Sequence, residues 1–427
     1  MDTTTQQGTT HHQDTTGGDL LAAYRAHLSA GRASLGEMFG GFWETASSGA
    51  TVRTSDGESF VNCAGYGVFI LGGTHPHVTE AVVAQVRANP LATRLLLEPV
   101  SAAAAKALVD VCPPGLSKVH FVGSGTEATE TAIKMARANG KRRLITTANG
   151  YHGKTLGSLS VTARSVYQEK FQPLLPDVTV VPYGDVDAME AALRDGPPAC
   201  VIVEPVQGEG GVVFPPDGYL AALGRLRTEH DAFLVIDEIL TGLGRLGRWW
   251  GHDPEAVTPD VMLVGKGLSG GVVPVAAAVA TPAAYAPFDK DPFLHTSTFS
   301  AAPVAAAAAK AAIEAIVMED AVAKAAKLGA ELKHRIAESA ARTCPHLVAE
   351  VRGEGLLIGV EMRDPGLAGE LVLELIDGRV LVNHSMNNSH VLRLTPPATI
   401  TADELDHVAT TFDRALSTLA GRFPASS

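Results

Sequence analysis

Short apolar runs alternate with longer stretches of helical periodicity through the middle of the chain. Brief Val, Ile, Leu and Phe runs bounded by glycine and charge are typical of strands buried in a parallel sheet. The alternation predicts an α/β fold in which a large domain, residues 99–305, holds a mostly parallel, seven-stranded sheet covered by helices on both faces. The predicted strands are 119–122, 143–147, 179–182, 200–204, 233–237, 261–265 and 275–280.

The N-terminal part has a different pattern. Residues 1–18 are rich in threonine, glutamine and glycine and nearly free of apolar side chains, so they are predicted to be a disordered tail. In residues 19–98, the apolar spacing is helical from Leu20 to Trp43 and is followed by a predicted hairpin over residues 52–60. This segment is expected to contribute to a small domain.

The C-terminal part, residues 306–427, predicts a smaller α+β domain. It begins with a single helical stretch to about Cys344 and ends with another helix. Between these helices the predicted strands are 355–361, 380–383 and 391–395.

Composition and charge limit the kinds of molecule that the protein is expected to bind. A chain of 427 residues with 46% apolar content can bury a large core and exceeds the usual size of one domain. The formal net charge is −12, and no basic run is longer than Lys141–Arg143. Electrostatics therefore give no reason to expect nucleic acid or an anionic membrane as a partner, and small molecules are the expected ligands.

The cysteines indicate a reducing compartment. The four of them are widely separated, so they suggest neither a zinc site nor a disulfide scaffold. No segment approaches the roughly twenty uninterrupted apolar residues of a membrane helix, and the start of the chain lacks the pattern of a secretory signal. A cytoplasmic location is expected.

Two charged residues end neighbouring predicted strands. Asp237 ends one apolar run, and Lys266 ends the next, twenty-nine positions later. The carboxyl ends of parallel strands are where α/β folds place their chemistry. A lysine and an aspartate delivered there suggest pyridoxal phosphate chemistry, with the amine holding the cofactor as a Schiff base and the carboxylate keeping the pyridinium nitrogen protonated. The alternative, without catalytic chemistry, is that Lys266 is a solvated lysine at a strand end and that Asp237 caps a helix.

Two more features favour the chemical interpretation. Glu204 ends a third apolar run and is followed by a glycine-rich turn. A second glycine-rich turn, containing Gly123 and Gly125, leads into a predicted helix. Together with Lys266 and Asp237, these features form an ordered set that chance seldom produces.

These motifs resemble those of the class III aminotransferases, which are fold-type I pyridoxal phosphate enzymes, and within that class the putrescine and ornithine-type subgroup. The resemblance runs from about Val52 to Thr401. The residues that carry it are 121–130, 150–157, 203–211, 237–242, 265–268, 295–299, 351–355 and 392–397.

The resemblance implies a role for each matching residue around the cofactor. Lys266 would hold the cofactor and transfer protons as base and acid, and Asp237 would pair with the ring nitrogen. Gly125 and Thr126 open a helix whose N-terminus suits a phosphate. The remaining implied cofactor contacts are Tyr151 stacked on one ring face, Ile239 on the other, His152, Glu204, and Thr298 reaching the phosphate of a second chain.

The resemblance also implies the substrates and the assembly. Arg393 would bind the α-carboxylate of glutamate through its planar fork, and Glu209 would mask the arginine when the substrate is an amine. A small-molecule amino donor and a carbonyl acceptor would react in turn, in a ping-pong cycle. The enzyme would be a homodimer with active sites at the interface, because Thr298 would act across it.

Three departures from the family pattern concern substrate range more than the chemistry. Leu240 stands where most relatives have a glutamine near the ring hydroxyl oxygen. Gly123 replaces the usual asparagine, and Ser300, Ala301 and Ala302 replace the usual Gly-Gly-Asn. Lys266 and Asp237 are retained.

The expected function is transfer of an amino group between an α-amino acid/keto acid pair and a terminal amine with its aldehyde or ketone. The segment 384–388 resembles the putrescine-type subgroup and favours the terminal amine. One alternative is tailoring of a natural product, including a carbonyl on a peptide. Others are an aminomutase, racemase or decarboxylase, of which the first two would convert one substrate without any external keto acid. A catalytically idle binding protein is disfavoured because Lys266 is present.

Overall fold

The computed structural model describes residues 17–425, and its strands form three sheets. The N-terminal elements are two helices joined by a π-helical turn, followed by three strands: α1 (Gly17–Ala23), α2 (Ala30–Met38), β1 (Glu44–Ser48), β2 (Thr51–Thr54) and β3 (Ser59–Asn62). Strands β2 and β3 pair as the predicted hairpin. The tail expected to be disordered lies, for residues 1–16, outside the described residues, while Gly17 and Gly18 belong to α1.

The central part contains the predicted large sheet. Its elements are α3 (Pro76–Ala88), α4 (Pro99–Asp110), β4 (Lys118–Val122), α5 (Gly125–Ala138), β5 (Arg143–Thr147), α6 (Leu156–Val161), α7 (Ser165–Gln168), β6 (Val178–Val181), α8 (Val186–Arg194), β7 (Ala199–Val203), α9 (Tyr219–Glu229), β8 (Phe233–Asp237), β9 (Val261–Val264), β10 (Ala276–Ala280) and α10 (Pro282–Lys290). The strand order is β4-β10-β9-β8-β7-β5-β6, and β10 alone of these seven runs antiparallel to its neighbours. The predicted α/β class and the mostly parallel seven-stranded sheet are confirmed.

Helices cover both faces of this sheet. On one face, Ala128 and Ala132 of α5 pack against Val235 and Leu263. On the other, α3 and α4 contribute to a core that includes Met262 of β9. Strands β7 to β10 are fully buried, which explains why they are continuous apolar runs without alternation. No helix between residues 17 and 425 has the length and apolar character needed to cross a membrane.

The C-terminal part comprises α11 (Pro303–Met318), α12 (Ala321–Thr343), β11 (Val348–Glu354), β12 (Leu357–Met362), α13 (Pro365–Asp377), β13 (Val380–Leu381), β14 (Asn383–Ser385), β15 (Asn388–Leu394) and α14 (Ala402–Arg422). The single predicted helix to Cys344 is two helices, because Asp320 takes a left-handed φ of 49° between them. Strand β11 was not expected, since its exposed glutamates interrupt the apolar pattern.

The two ends of the chain share a core. Strand β13 pairs in parallel with β3 and completes the N-terminal sheet. Ala50, Val61 and Cys63 pack in one cluster with side chains of α12, α13 and α14. The boundaries of the domains predicted from the sequence stay an interpretation.

Candidate active site at the edge of the central sheet

Six strands of the central sheet run parallel, and ionisable residues singled out in the sequence lie at the carboxyl ends of four of them or in the loops that follow. Asp237 ends β8, Glu204 follows β7, and Lys266 comes two residues after β9. His152 lies in the loop after β5, and α5 begins just beyond β4. The parallel topology thus brings together residues that are up to 141 positions apart in the chain, from Gly125 to Lys266.

Asp237 and His152 form a buried pair at this edge. His152 Nδ1 lies 2.7 Å from Asp237 Oδ2. Burial lowers the pKa of His152, but the hydrogen bond and charge of Asp237, with the charge of Glu204, raise it overall. The Ile239 amide donates to Asp237 Oδ1 at 3.1 Å. The carboxylate is therefore held in one orientation from both sides.

Glu204 supports the loop that carries Tyr151. Its Oε1 accepts a hydrogen bond from the Tyr151 amide at 3.0 Å, and its side chain is buried. Burial and the nearby charge of Asp237 raise the pKa of Glu204 to about 7, against the opposing effect of His152. The half-buried Tyr151 ring is thereby attached to a backbone fixed beside the Asp237–His152 pair.

Lys266 begins a 3₁₀ turn directly beyond β9. Its φ of 45° lies in the left-handed region, a backbone strain that is concentrated at functional sites. Burial, with the positive charge of Arg393, lowers the pKa of Lys266 to about 8, although the charges of Glu209, Asp237 and Glu204 act in the opposite direction. Near pH 7, the neutral form of the Lys266 amine is therefore more populated than that of an ordinary lysine. Only the neutral amine is a nucleophile.

The start of α5 faces the same region. Ser124 caps the helix by accepting from the Glu127 amide, so Gly125 and Thr126 form its first turn. The Thr126 hydroxyl lies 2.6 Å from the Ser158 hydroxyl in α6. A side chain at Gly125 would collide with Ile239, whose Cδ1 is 2.8 Å from the position of an added Cβ. The helix start and Ile239 are thus in direct contact.

Glu209 and Arg393 form an ion pair buried from solvent. Arg393 is 0% exposed, and its Nη1 lies 2.7 Å from Glu209 Oε1. The approach is not aligned as a hydrogen bond, and within the described chain none of the three guanidinium nitrogens has a hydrogen-bond partner. A buried guanidinium without aligned partners is a strong site for a ligand carboxylate.

Leu240 fills an apolar slot next to Lys266. It packs with Val206, Val212, Leu246 and Leu357. A Cβ placed on either Gly67 or Gly208 would overlap its side chain. At the position where relatives are expected to have a glutamine, this chain therefore has a closely packed leucine. Gly67 and Gly208 leave the space that its side chain occupies.

Thr298 is the one predicted cofactor residue on an exposed segment. It lies between α10 and α11. Arg94, which itself has a left-handed φ of 64°, lies in the loop before α4. Its guanidinium donates hydrogen bonds to the carbonyls of Ser297, Thr298 and Ser300. The Ser300 hydroxyl donates at 2.5 Å to the Phe121 carbonyl in β4. Ser300, which stands where the family usually has a glycine, therefore connects the Thr298 segment to β4 through this hydrogen bond.

The sequence as a whole matches a known family. The family model described as aminotransferase class-III aligns with residues 37–416. The chain belongs to the class III aminotransferases. It is a transaminase that uses pyridoxal phosphate, so the predicted class III family, transamination and cofactor are confirmed.

Solved structures agree with this assignment. The ornithine aminotransferase of Toxoplasma gondii ME49 is 29% identical, with a TM-score of 0.88 over 95% of this chain and 96% of its own. The ornithine δ-aminotransferase of Plasmodium falciparum is 26% identical, with a TM-score of 0.78 over 91% and 98%. A transaminase of the marine bacterium Virgibacillus, at 24% identity, a TM-score of 0.83 and coverage of 89% and 94%, shares the fold.

The residues at the sheet edge have the chemistry that pyridoxal phosphate requires. The aminotransferase has an amine of lowered pKa, a buried carboxylate, a helix N-terminus and an aromatic ring within one region. The buried Asp237 carboxylate matches a protonated ring nitrogen, and the start of α5 matches a phosphate.

A second buried acid–histidine pair in the aminotransferase was missed by the sequence reasoning. Glu238 and His252 are each about 1% exposed, and His252 Nδ1 lies 2.5 Å from Glu238 Oε1. Glu238 also accepts from the amides of Gly251 and His252 and from the Thr241 hydroxyl. Glu238 thereby closes the loop that carries Ile239 and Leu240. The only signal in the sequence is an acidic residue directly after Asp237.

Replacing Glu238 with alanine is expected to lower the free energy of unfolding by about 3–5 kcal/mol, because it leaves a buried histidine and two buried amides without their partner. Urea unfolding followed by circular dichroism measures the change. The matched control is Glu350→Ala, which removes an exposed carboxylate 2.7 Å from Arg352 and should cost less than about 1 kcal/mol. Equal losses in the two variants would contradict the structural role of Glu238.

Proposed function

We propose that this aminotransferase exchanges an amino group between an α-amino acid/keto acid pair and a terminal amine with its aldehyde or ketone. The observation that carries this proposal is the buried Glu209–Arg393 pair beside Lys266. An arginine suits the α-carboxylate of one substrate, and a glutamate that neutralises it suits a substrate without a carboxylate.

Around the cofactor, we assign each role to a residue of the site. Asp237, oriented by His152 and the Ile239 amide, would face the ring nitrogen. The first turn of α5, with Gly125 and Thr126, would hold the phosphate. The ring faces would be covered by Tyr151 and Ile239, and Glu204 would keep the Tyr151 loop in position.

Lys266 would hold the cofactor through its amine and move the proton during the reaction. When bound, pyridoxal phosphate stabilises negative charge that develops on the carbon carrying the amino group. Once an incoming amine frees Lys266, its amine can take a proton from that carbon and return it to a neighbouring position. A pKa of about 8 is close to the value at which a group can both accept and donate a proton near neutral pH.

Arg393 and Glu209 would distinguish the two half-reactions. With an α-amino acid, the substrate carboxylate would replace Glu209 as the partner of the guanidinium, whose unaligned nitrogens are suited to a bidentate contact. With a terminal amine, Glu209 would stay in place and keep the buried charge neutralised. Both substrates would then use the same Lys266.

Arg393→Lys tests this assignment, because lysine keeps the charge and loses the planar fork. We expect kcat/KM for glutamate or alanine to fall by about 10- to 150-fold, the value of a hydrogen bond to a charged group. The value for putrescine or another terminal amine should change much less. Each half-reaction is followed alone through the absorbance of the cofactor.

Arg245→Lys is the matched control for this test. Arg245 is also buried, but it donates to the carbonyls of Leu356 and Pro396 and forms no ion pair with Glu209. Its replacement should affect both half-reactions alike. If Arg393→Lys also lowered both half-reactions equally, Arg393 would not be the residue that selects the carboxylate substrate.

We further propose that the enzyme is a homodimer in which Thr298 contacts the cofactor of the other chain. The support is an exposed apolar surface around Thr298. Leu95, Leu96 and Leu97 on the Arg94 loop are 79–103% exposed, and Phe293 and Phe299 are 85% and 64% exposed. Apolar side chains grouped in this way are typical of a surface covered by another chain.

A cytoplasmic location is part of the same proposal. It is supported by the four cysteines, which are all free. Three of them, Cys63, Cys200 and Cys344, are buried, and none has a disulfide partner within the described residues. Such cysteines are typical of proteins kept in a reducing compartment.

A further inference from the structure

The Glu209 carboxylate is held by two ends of one hairpin. Its Oε1 lies 2.7 Å from Arg393, which is on β15. Its Oε2 accepts a hydrogen bond of 2.9 Å from the amide of Met386, in the turn between β14 and β15. Moving Glu209 away from Arg393 therefore also breaks its contact with the turn.

The turn is bound to the backbone next to Glu209. The Asn387 amide donates to the Glu209 carbonyl at 2.9 Å, and the buried Ser385 hydroxyl donates to the Gly208 carbonyl at 3.1 Å. Two-residue hairpin turns favour positive φ, but neither Met386 nor Asn387 has it. The tertiary contacts, more than local preference, therefore hold the turn in place.

Tyr167 attaches this turn to a distant part of the chain. It lies in α7, and its hydroxyl donates to the Met386 carbonyl at 2.9 Å. Its ring is placed separately, since the Lys154 ammonium lies 4.0 Å from the ring centroid. Removing the hydroxyl would thus loosen the turn on this side without removing the contact that positions the ring.

We propose that Tyr167 and the Met386–Asn387 turn form a latch that determines how readily Glu209 leaves Arg393. The latch would set the balance between substrates with an α-carboxylate and terminal amines without one. Tyr167 acts here as a positioning residue, through Met386 and Glu209. This inference rests on the proposed roles of Glu209 and Arg393.

Tyr167→Phe tests the latch through binding of glutarate to the cofactor-loaded enzyme. Glutarate has carboxylates but no amino or keto group, so calorimetry reports binding without reaction. The loss of one hydrogen bond is expected to tighten glutarate binding by about two- to tenfold. The KM for glutamate should fall by a similar factor while kcat changes little.

Two controls accompany this variant. Tyr285→Phe removes a tyrosine hydroxyl whose contact is with His120, away from the hairpin, and it should leave glutarate binding unchanged. Ser385→Ala loosens the same turn from its other side and should tighten binding in the same direction as Tyr167→Phe. If Tyr167→Phe did not tighten binding, the latch would be ruled out, whatever the effect of Ser385→Ala.

Glu209→Ala separates the latch from the function on which it rests. This variant should tighten glutarate binding, and adding Tyr167→Phe to it should then change nothing. If Glu209→Ala left binding unchanged, the proposed masking of Arg393 would be wrong, and the latch with it. If Glu209→Ala tightened binding but Tyr167→Phe did not, only the latch would be wrong. An effect of Tyr167→Phe that persisted without Glu209 would also overturn the latch.

Discussion

Replacing Lys266 with alanine is expected to lower kcat for transamination by about 10⁴-fold, the upper range for a lost general acid–base group. The change would remove both the proposed proton carrier and the amine proposed to hold the cofactor. The expectation rests on the position of Lys266 as well as on its residue type, because its amine is buried beyond β9 and the charges of Asp237, Glu204 and Glu209 act on its pKa. Steady-state rates with glutamate and with putrescine measure the loss.

Lys324→Ala is the control for this prediction. Lys324 is an exposed lysine that pairs with Glu319 on the surface at 3.1 Å, so its loss should leave the rate within about twofold and stability within about 0.5 kcal/mol. Borohydride reduction of the unmodified enzyme with its cofactor, followed by peptide mass analysis, should label Lys266 alone. A Lys266→Ala variant that kept a tenth of the activity would show that another group moves the proton.

Replacing Asp237 with alanine is expected to lower kcat by about 10²- to 10³-fold, as when one electrostatic group that stabilises a transition state is removed. The Asp237 side chain is 4% exposed, and its Oδ2 lies 2.7 Å from His152 Nδ1. Without Asp237 the ring nitrogen would lose the anion that keeps it protonated. Rates in both half-reactions should therefore fall together, unlike those of Arg393→Lys.

Asp237→Asn is the informative second variant. Asparagine keeps the shape and an acceptor for the Ile239 amide but carries no charge, so a rate as low as that of Asp237→Ala would assign the effect to the charge. Retention of cofactor after dialysis, measured by absorbance, gives a readout that is independent of turnover. If Asp237→Asn retained nearly the full rate, the carboxylate charge would not be required at this position.

Much of the fold was predictable because each strand of the central sheet is locally distinctive. Strands β7, β8 and β9 are buried on both faces, and burial demands unbroken apolar runs that can be recognised without knowing the neighbours. The break at Asp320 and strand β11 were missed. A single left-handed residue leaves almost no trace in periodicity, and the exposed residues of β11 have no apolar requirement.

The candidate site was predictable for residues that end apolar runs within an ordered set of recognisable motifs. Lys266 and Asp237 are of this kind. Glu238 and Tyr167 are not, since their roles depend on partners found only in the folded chain: His252 for the first and the Met386 carbonyl for the second. Acidic and aromatic residues occur so often in solvated positions that their identity alone predicts no particular contact.

The class of fold, the family and the chemistry could be predicted from the sequence alone, because apolar periodicity, strand-end residues and short motifs are local properties of the chain. The buried ion pair between Glu209 and Arg393 could be found only in the folded chain, since the two residues are 184 positions apart and meet where the β14–β15 hairpin packs against the segment after β7. The same is true of the close approach of Leu240 to Gly67 and Gly208. Such contacts depend on distances between distant segments, which packing sets and local sequence does not encode.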